Sequence, residues 1–63
     1  MSAALRNVAE LARELERQLT VYIAWRRSAA PIRYIAVAGT YTQWYAGRLQ
    51  AACQEALSDG RQA

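Results

Sequence analysis

Residues 32–57 have the sequence IRYIAVAGTYTQWYAGRLQAACQEAL, and the spacing of their apolar side chains decides the fold. At about 100° of rotation per residue, one helical face of about 160° collects most of the apolar and small residues. That face consists of Ile32, Ile35, Ala38, Thr42, Tyr45, Leu49, Cys53, Ala56 and Leu57. Arg33, Arg48 and Glu55 fall on the opposite side. The segment is therefore predicted to form one amphipathic helix.

Residues 3–27 give a second helical pattern with a narrower apolar arc of roughly 120°. The arc contains Leu5, Val8, Leu11, Ala12, Leu15, Leu19, Tyr22 and Ile23. Glu10, Glu14 and Glu16, with Arg13 and Arg17, lie outside it and are expected to form a solvated charged face. Ser2 precedes the pattern and can cap the helix by accepting a hydrogen bond from a free backbone N–H.

The segment Ser28-Ala29-Ala30-Pro31 separates the two patterns. Pro31 suits the first turn of a helix, and Gly60 is a natural helix stop. We therefore predict helices over about residues 3–27 and 32–58, joined by a loop at 28–31. The whole chain, 1–63, is expected to be one helical-hairpin domain.

An αββα arrangement is the alternative, because residues 20–25 and 32–37 are rich in β-branched and aromatic side chains. Neither segment alternates cleanly between apolar and polar residues. No Gly, Pro or Asn separates Leu11 from Ser28, so nothing ends the first helix before the first strand would begin. The sequence favours the all-α fold.

An isolated hairpin of this length leaves apolar surface uncovered. A 63-residue chain buries only about 60% of the surface that its unfolded form exposes. Apolar faces as wide as these also exceed what one neighbouring helix can cover. We therefore predict that two hairpins pair into a homodimeric four-helix bundle, with a larger assembly as the alternative.

The composition argues against catalysis and against a bound metal or cofactor. The chain contains no histidine, one cysteine and five scattered carboxylates, so it lacks the usual general base and the usual zinc ligands. No glycine-rich phosphate loop is present. The longest uncharged run, residues 34–47, is too short to cross a bilayer. A non-enzymatic cytoplasmic protein without cofactors and without a membrane association is expected.

All six aromatic residues lie in a stretch, residues 17–54, that contains five arginines and no acidic residue. On the second helix, five residues at spacings of 4, 4, 3 and 4 form a ridge on the outer side. The ridge consists of Arg33, Val37, Tyr41, Trp44 and Arg48. Aromatic and arginine side chains are enriched in the energetically dominant part of protein interfaces.

We therefore predict that the ridge binds a partner, together with Trp25, Arg26 and Arg27 near the loop. Two readings of the ridge stay open at this point. It can be exposed for a partner, or it can be buried in the interface of the oligomer. Cys53, among alanines on the apolar face, is expected to be a buried thiol.

These features favour a small protein that binds and regulates or inhibits a larger protein. Short, lysine-free chains without an active site are also typical of the products that phages and other mobile elements direct against host machines. The alternative is nucleic-acid binding, because the layout resembles the Rop family of plasmid copy-control proteins, whose helical hairpins dimerise into four-helix bundles. That resemblance implies RNA or DNA binding but is architectural, so no binding residue is carried over. The net charge of +3 is modest for such a role.

Overall fold

The structure, a computed structural model, describes the backbone of residues 2–62 and the side chains of residues 2–59. It consists of two helices packed against each other as a hairpin: α1, Ala3–Arg27, and α2, Ile32–Gln62. The described part of the chain contains no strand, and residues 20–25 and 32–37 are helical. The αββα alternative is therefore wrong, because the helical periodicity outweighs the local β propensity of these segments.

The start of α1 is the predicted one. The Ser2 hydroxyl accepts a hydrogen bond from the Leu5 backbone N–H at 3.2 Å, and the Ser2 carbonyl accepts from the Arg6 N–H at 3.0 Å. Both groups satisfy donors that would otherwise have no partner in the first turn. This cap fixes where α1 begins.

The end of α1 is a Schellman motif. The Ala30 N–H bonds the Trp25 carbonyl at 3.0 Å and the Ala29 N–H bonds the Arg26 carbonyl at 3.4 Å, with Ser28 as the C-cap. Ala29 has a φ of 57°, in the left-handed region that glycine usually occupies in this motif. The loop therefore turns the chain back within a few residues, at the cost of a strained alanine.

α2 begins at Ile32, the predicted start, but it extends beyond the predicted end at residue 58. Pro31 is not inside the first turn but one residue before it, where its carbonyl accepts from the Tyr34 and Ile35 N–H groups at 2.9 and 3.3 Å. Gly60 does not stop the helix, which continues to Gln62. A glycine ends a helix only where it adopts the left-handed conformation, and no glycine in the described range does so.

The contact between the helices is a narrow seam. Among the described side chains only Ala38 and Ala52 are fully buried, while Leu11, Leu15 and Leu49 beside the seam are half-buried. The hairpin measures 49 × 16 × 12 Å, so it is an elongated rod with two broad flanks. Each helix covers only the middle of the other's apolar face.

Gly39 lies where the two helices approach each other closely. A Cβ atom at Gly39 would stand 3.4 Å from Cε2 of the Tyr22 ring, whereas a Cβ at Gly47 would meet nothing within 4 Å. The absent side chain of Gly39 thus makes room for the half-buried Tyr22 ring.

Candidate partner-binding groove

A groove with a volume of about 360 Å³ runs along one flank of the hairpin, between α1 and α2. We call it the aromatic–arginine groove. Its lining residues are Glu14, Arg17, Gln18, Val21, Trp25, Val37, Ala38, Tyr41 and Tyr45. Concave surfaces that combine apolar walls with a few polar groups are the usual form of a binding site.

Helical spacing places these side chains in two facing rows. On α1, Gln18, Val21 and Trp25 are three and four residues apart and so lie on one side of the helix. On α2, Val37 and Tyr41 are four residues apart and face them across the groove. The packing of α1 against α2 brings the two rows together around one groove.

Aromatic contacts close the groove at the loop end. The ring centroids of Trp25 and Tyr34 are 5.8 Å apart with their planes tilted by 56°. The guanidinium carbon of Arg33 lies 5.2 Å from the Tyr34 ring centroid. A cation over a ring face is attracted by the ring quadrupole, so this contact holds Arg33 in place.

A second aromatic cluster lies at the middle of α2. The rings of Trp44 and Tyr45 meet edge to face, with centroids 4.8 Å apart and planes at 85°. The guanidinium carbon of Arg48 lies 4.8 Å from the Trp44 ring centroid. Such stacking leaves the edge of a guanidinium free to donate hydrogen bonds to a carboxylate or phosphate.

The α1 wall of the groove carries one ion pair. Arg17 Nη2 donates to Glu14 Oε1 at 2.6 Å, and Gln18 Nε2 donates to the same oxygen at 3.2 Å. These hydrogen bonds, the one from Arg17 first, lower the pKa of Glu14 below its usual value. Glu14 therefore stays ionised at neutral pH, and its charge offsets that of Arg17.

The predicted ridge is exposed in the single chain. Val37, Tyr41 and Trp44 keep 51%, 54% and 53% of their surface accessible. Val37 and Tyr41 belong to the α2 wall of the groove, whereas Trp44 and Arg48 are outside its lining, next to Tyr45 through the contact of the Trp44 and Tyr45 rings. The intramolecular packing of this chain therefore leaves the ridge available for a contact with another molecule.

The predicted loop residues divide between the two flanks. Trp25 lines the groove. Arg26 instead donates from Nη1 to the Tyr22 hydroxyl at 3.1 Å and lies 5.8 Å from the centroid of that ring. Arg27 is exposed at the end of α1. The structure thus brings Trp25 together with the ridge and places Arg26 beside Tyr22.

Sequence reasoning missed part of the α1 wall. Glu14 and Arg17 were expected on a solvated face, and Gln18 and Val21 were not proposed as site residues, yet all four line the groove. A helical wheel describes each helix by itself and does not give the rotation of one helix against the other. The available signal was the i, i+3, i+7 spacing of Gln18, Val21 and Trp25 just outside the apolar arc.

Cys53 is exposed in the single chain. The prediction of a buried thiol is therefore wrong for the single hairpin. Cys53 lies with Leu5, Val8, Ala56 and Leu57 around a shallow depression on the flank opposite the groove.

Within the described residues, no three histidine, cysteine or acidic side chains are close enough to hold a metal ion. Neither helix, over the part that the structure describes, has the length and apolarity needed to cross a bilayer.

Comparison of the chain with protein-family models, with curated proteins and with solved structures gave no match in any of the three.

Proposed function

We propose that this chain is a small, non-enzymatic, cytoplasmic interaction protein that regulates or inhibits a larger protein by binding it through the aromatic–arginine groove. The observation that carries the proposal is the exposure of Val37, Tyr41 and Trp44 beside two stacked arginines. Exposed aromatic and arginine side chains of this kind act as anchors in protein interfaces. Their concentration on one flank favours a specific contact over scattered surface apolarity.

The chemistry of the groove indicates what the partner presents. Val21, Val37 and Tyr41 offer an apolar trough, and the ridge that includes Val37 and Tyr41 carries the guanidinium groups of Arg33 and Arg48 at its two ends. A helix or loop with apolar side chains in the middle and carboxylates at its ends complements this arrangement. The partner is therefore a protein with an acidic, amphipathic surface element.

Nucleic-acid binding fits the groove less well. The Glu14 carboxylate stands in the α1 wall and neutralises Arg17, so the lining is not uniformly positive. A phosphate backbone requires a continuous basic track, and its binding weakens steeply as salt is added. Mixed charge around an apolar centre is instead typical of protein interfaces.

We also propose that the functional unit is a homodimeric four-helix bundle of two hairpins. The support is the narrow seam: in the described chain, only two alanines are fully buried. A core of that size is too small to stabilise a hairpin well by itself.

Capture of partners from a lysate of the source cells, with and without nuclease, tests the proposed binding. Trp44→Ala removes the ring that Arg48 stacks on, and we expect it to weaken capture by about 30-fold or more, as for an interface anchor worth about 2 kcal/mol. The matched control is Gln43→Ala, an exposed neighbour outside the groove. It should capture the partner as the unchanged chain does.

Two results would count against the proposal. Capture that survives Trp44→Ala and Arg48→Glu would show that the ridge beside the groove is not the binding surface. Capture that disappears after nuclease treatment, and that falls steeply with salt, would establish nucleic-acid binding in its place. Helicity measured by circular dichroism on each variant shows whether the fold is retained.

A further inference from the structure

The flank opposite the groove is apolar and uncovered in the single chain. We call it the leucine–isoleucine flank. Its large exposed side chains are Leu5, Leu19, Ile23, Ile32 and Leu57. Ile32 and Leu57 keep 84% and 62% of their surface accessible. Such a continuous apolar surface is unusual on a protein that stays monomeric.

Both helices contribute to this one surface. Leu5 and Val8 of α1 meet Cys53 and Leu57 of α2 around a single depression at the open end of the hairpin. Toward the loop, Leu19 and Ile23 of α1 lie on the same side by helical spacing. The flank therefore runs along the rod from its open end to its loop.

We infer that the occupant of the leucine–isoleucine flank is the same flank of a second copy of this chain. This inference deepens the proposed homodimer, on which it rests, by assigning its interface. A surface that pairs with itself must tolerate its own charges at close range. By helical spacing, the charged residues among the described ones on this flank are Glu16, which is exposed, and Arg26, which donates a hydrogen bond to the Tyr22 hydroxyl.

The groove flank does not meet that condition. It carries Arg17 and Glu14 in the groove lining, and Arg33, Arg48 and Glu55 lie on the same side of α2 by helical spacing. Two copies packed groove to groove would remove these charged groups from water, which costs free energy unless each of them finds a partner. The charge distribution therefore directs self-association to the leucine–isoleucine flank and leaves the groove to a different partner.

The single chain exposes more surface than a stable monomer of its mass, and the excess is close to the area that each partner buries in a dimer interface. The single chain exposes 4970 Å², whereas a stable monomer of 7.1 kDa is expected to expose about 4,100 Å². The excess of about 900 Å² is close to the roughly 800 Å² that each partner buries in a stable interface. The missing burial is thus of the size that one dimer interface supplies.

Sedimentation velocity on paired glutamate variants tests the assignment. Ile23→Glu places a carboxylate in the proposed interface, and we expect the dimer dissociation constant to rise by about 100-fold or more. Val37→Glu makes the same kind of change on the groove flank. This variant should still sediment as a dimer, with twice the mass of one chain. An unchanged chain that sediments as a monomer overturns the inference, and so does a dimer that dissociates only with Val37→Glu.

Thiol reactivity of the unchanged chain gives a second readout that does not depend on a variant folding. Cys53 is exposed in the single chain, and the proposed pairing covers it. We expect its reaction with an aromatic disulfide reagent to be about tenfold slower, or more, in the concentrated protein than in the urea-unfolded chain. Equal rates would overturn the inference. Partner capture by Trp44→Ala is measured separately, so failure of the dimer interface and failure of groove binding give different results.

Discussion

Ala29 is the residue at which the fold requires a conformation that its side chain disfavours. Its φ of 57° lies in the left-handed region, where a Cβ atom crowds the following carbonyl group. The two Schellman hydrogen bonds and the connection to Pro31 hold it there. The sequence thus has alanine at the one loop position where glycine would be expected.

Replacing this residue, Ala29→Gly, should stabilise the chain by roughly 0.5–1 kcal/mol, because relief of the strain outweighs the greater freedom of glycine in the unfolded state. The urea midpoint of helicity at fixed protein concentration measures the change. The matched control is Ala30→Gly, whose backbone does not have a positive φ. If Ala30→Gly stabilised the protein as much as Ala29→Gly, the backbone at Ala29 would not be strained.

At the scale of the helices, the two glycines inside α2 have different surroundings. The Tyr22 ring occupies the space beside Gly39, whereas Gly47 faces open space. Each glycine costs its helix roughly 1 kcal/mol relative to alanine. Only Gly39 has a packing contact that offsets this cost.

The same substitution at both sites should therefore have opposite effects. We expect Gly47→Leu to stabilise the protein by roughly 0.5–1 kcal/mol through helix propensity alone. Gly39→Leu should destabilise it by about 1–3 kcal/mol, because the new side chain displaces the Tyr22 ring. Chemical denaturation of both variants tests this, and a gain in stability at both positions would show that Gly39 does not set the approach of the helices.

The helices themselves could be predicted from the sequence, because apolar periodicity and the Ser2 cap are local features. The αββα alternative failed for the same reason, since local β propensity in residues 20–25 carries less weight than a period sustained over 25 residues. Gly60 was misjudged because a glycine permits a helix to end but does not force it to.

The groove could be predicted only in part. Its α2 wall follows from the ridge, but its α1 wall depends on the relative rotation of the helices, which the periodicity of each helix by itself does not give.

At the scale of the whole molecule, folding and association should be one process. With so little surface buried inside one chain, stability is expected to come largely from the contact between two copies. The melting temperature should therefore rise by several degrees for each tenfold increase in protein concentration, which scanning calorimetry or circular dichroism can measure. A melting temperature that does not depend on concentration would show that the hairpin is stable as a monomer.

The groove and the leucine–isoleucine flank lie on opposite sides of one thin rod. If two rods pair through their leucine–isoleucine flanks, their grooves face outward in opposite directions, and the dimer is bivalent. Such a dimer can bridge two partner molecules, or bind a partner that is itself multimeric far more tightly than one groove would. One small dimer would then hold two subunits of a larger assembly together, provided that the subunits are spaced to bind both grooves.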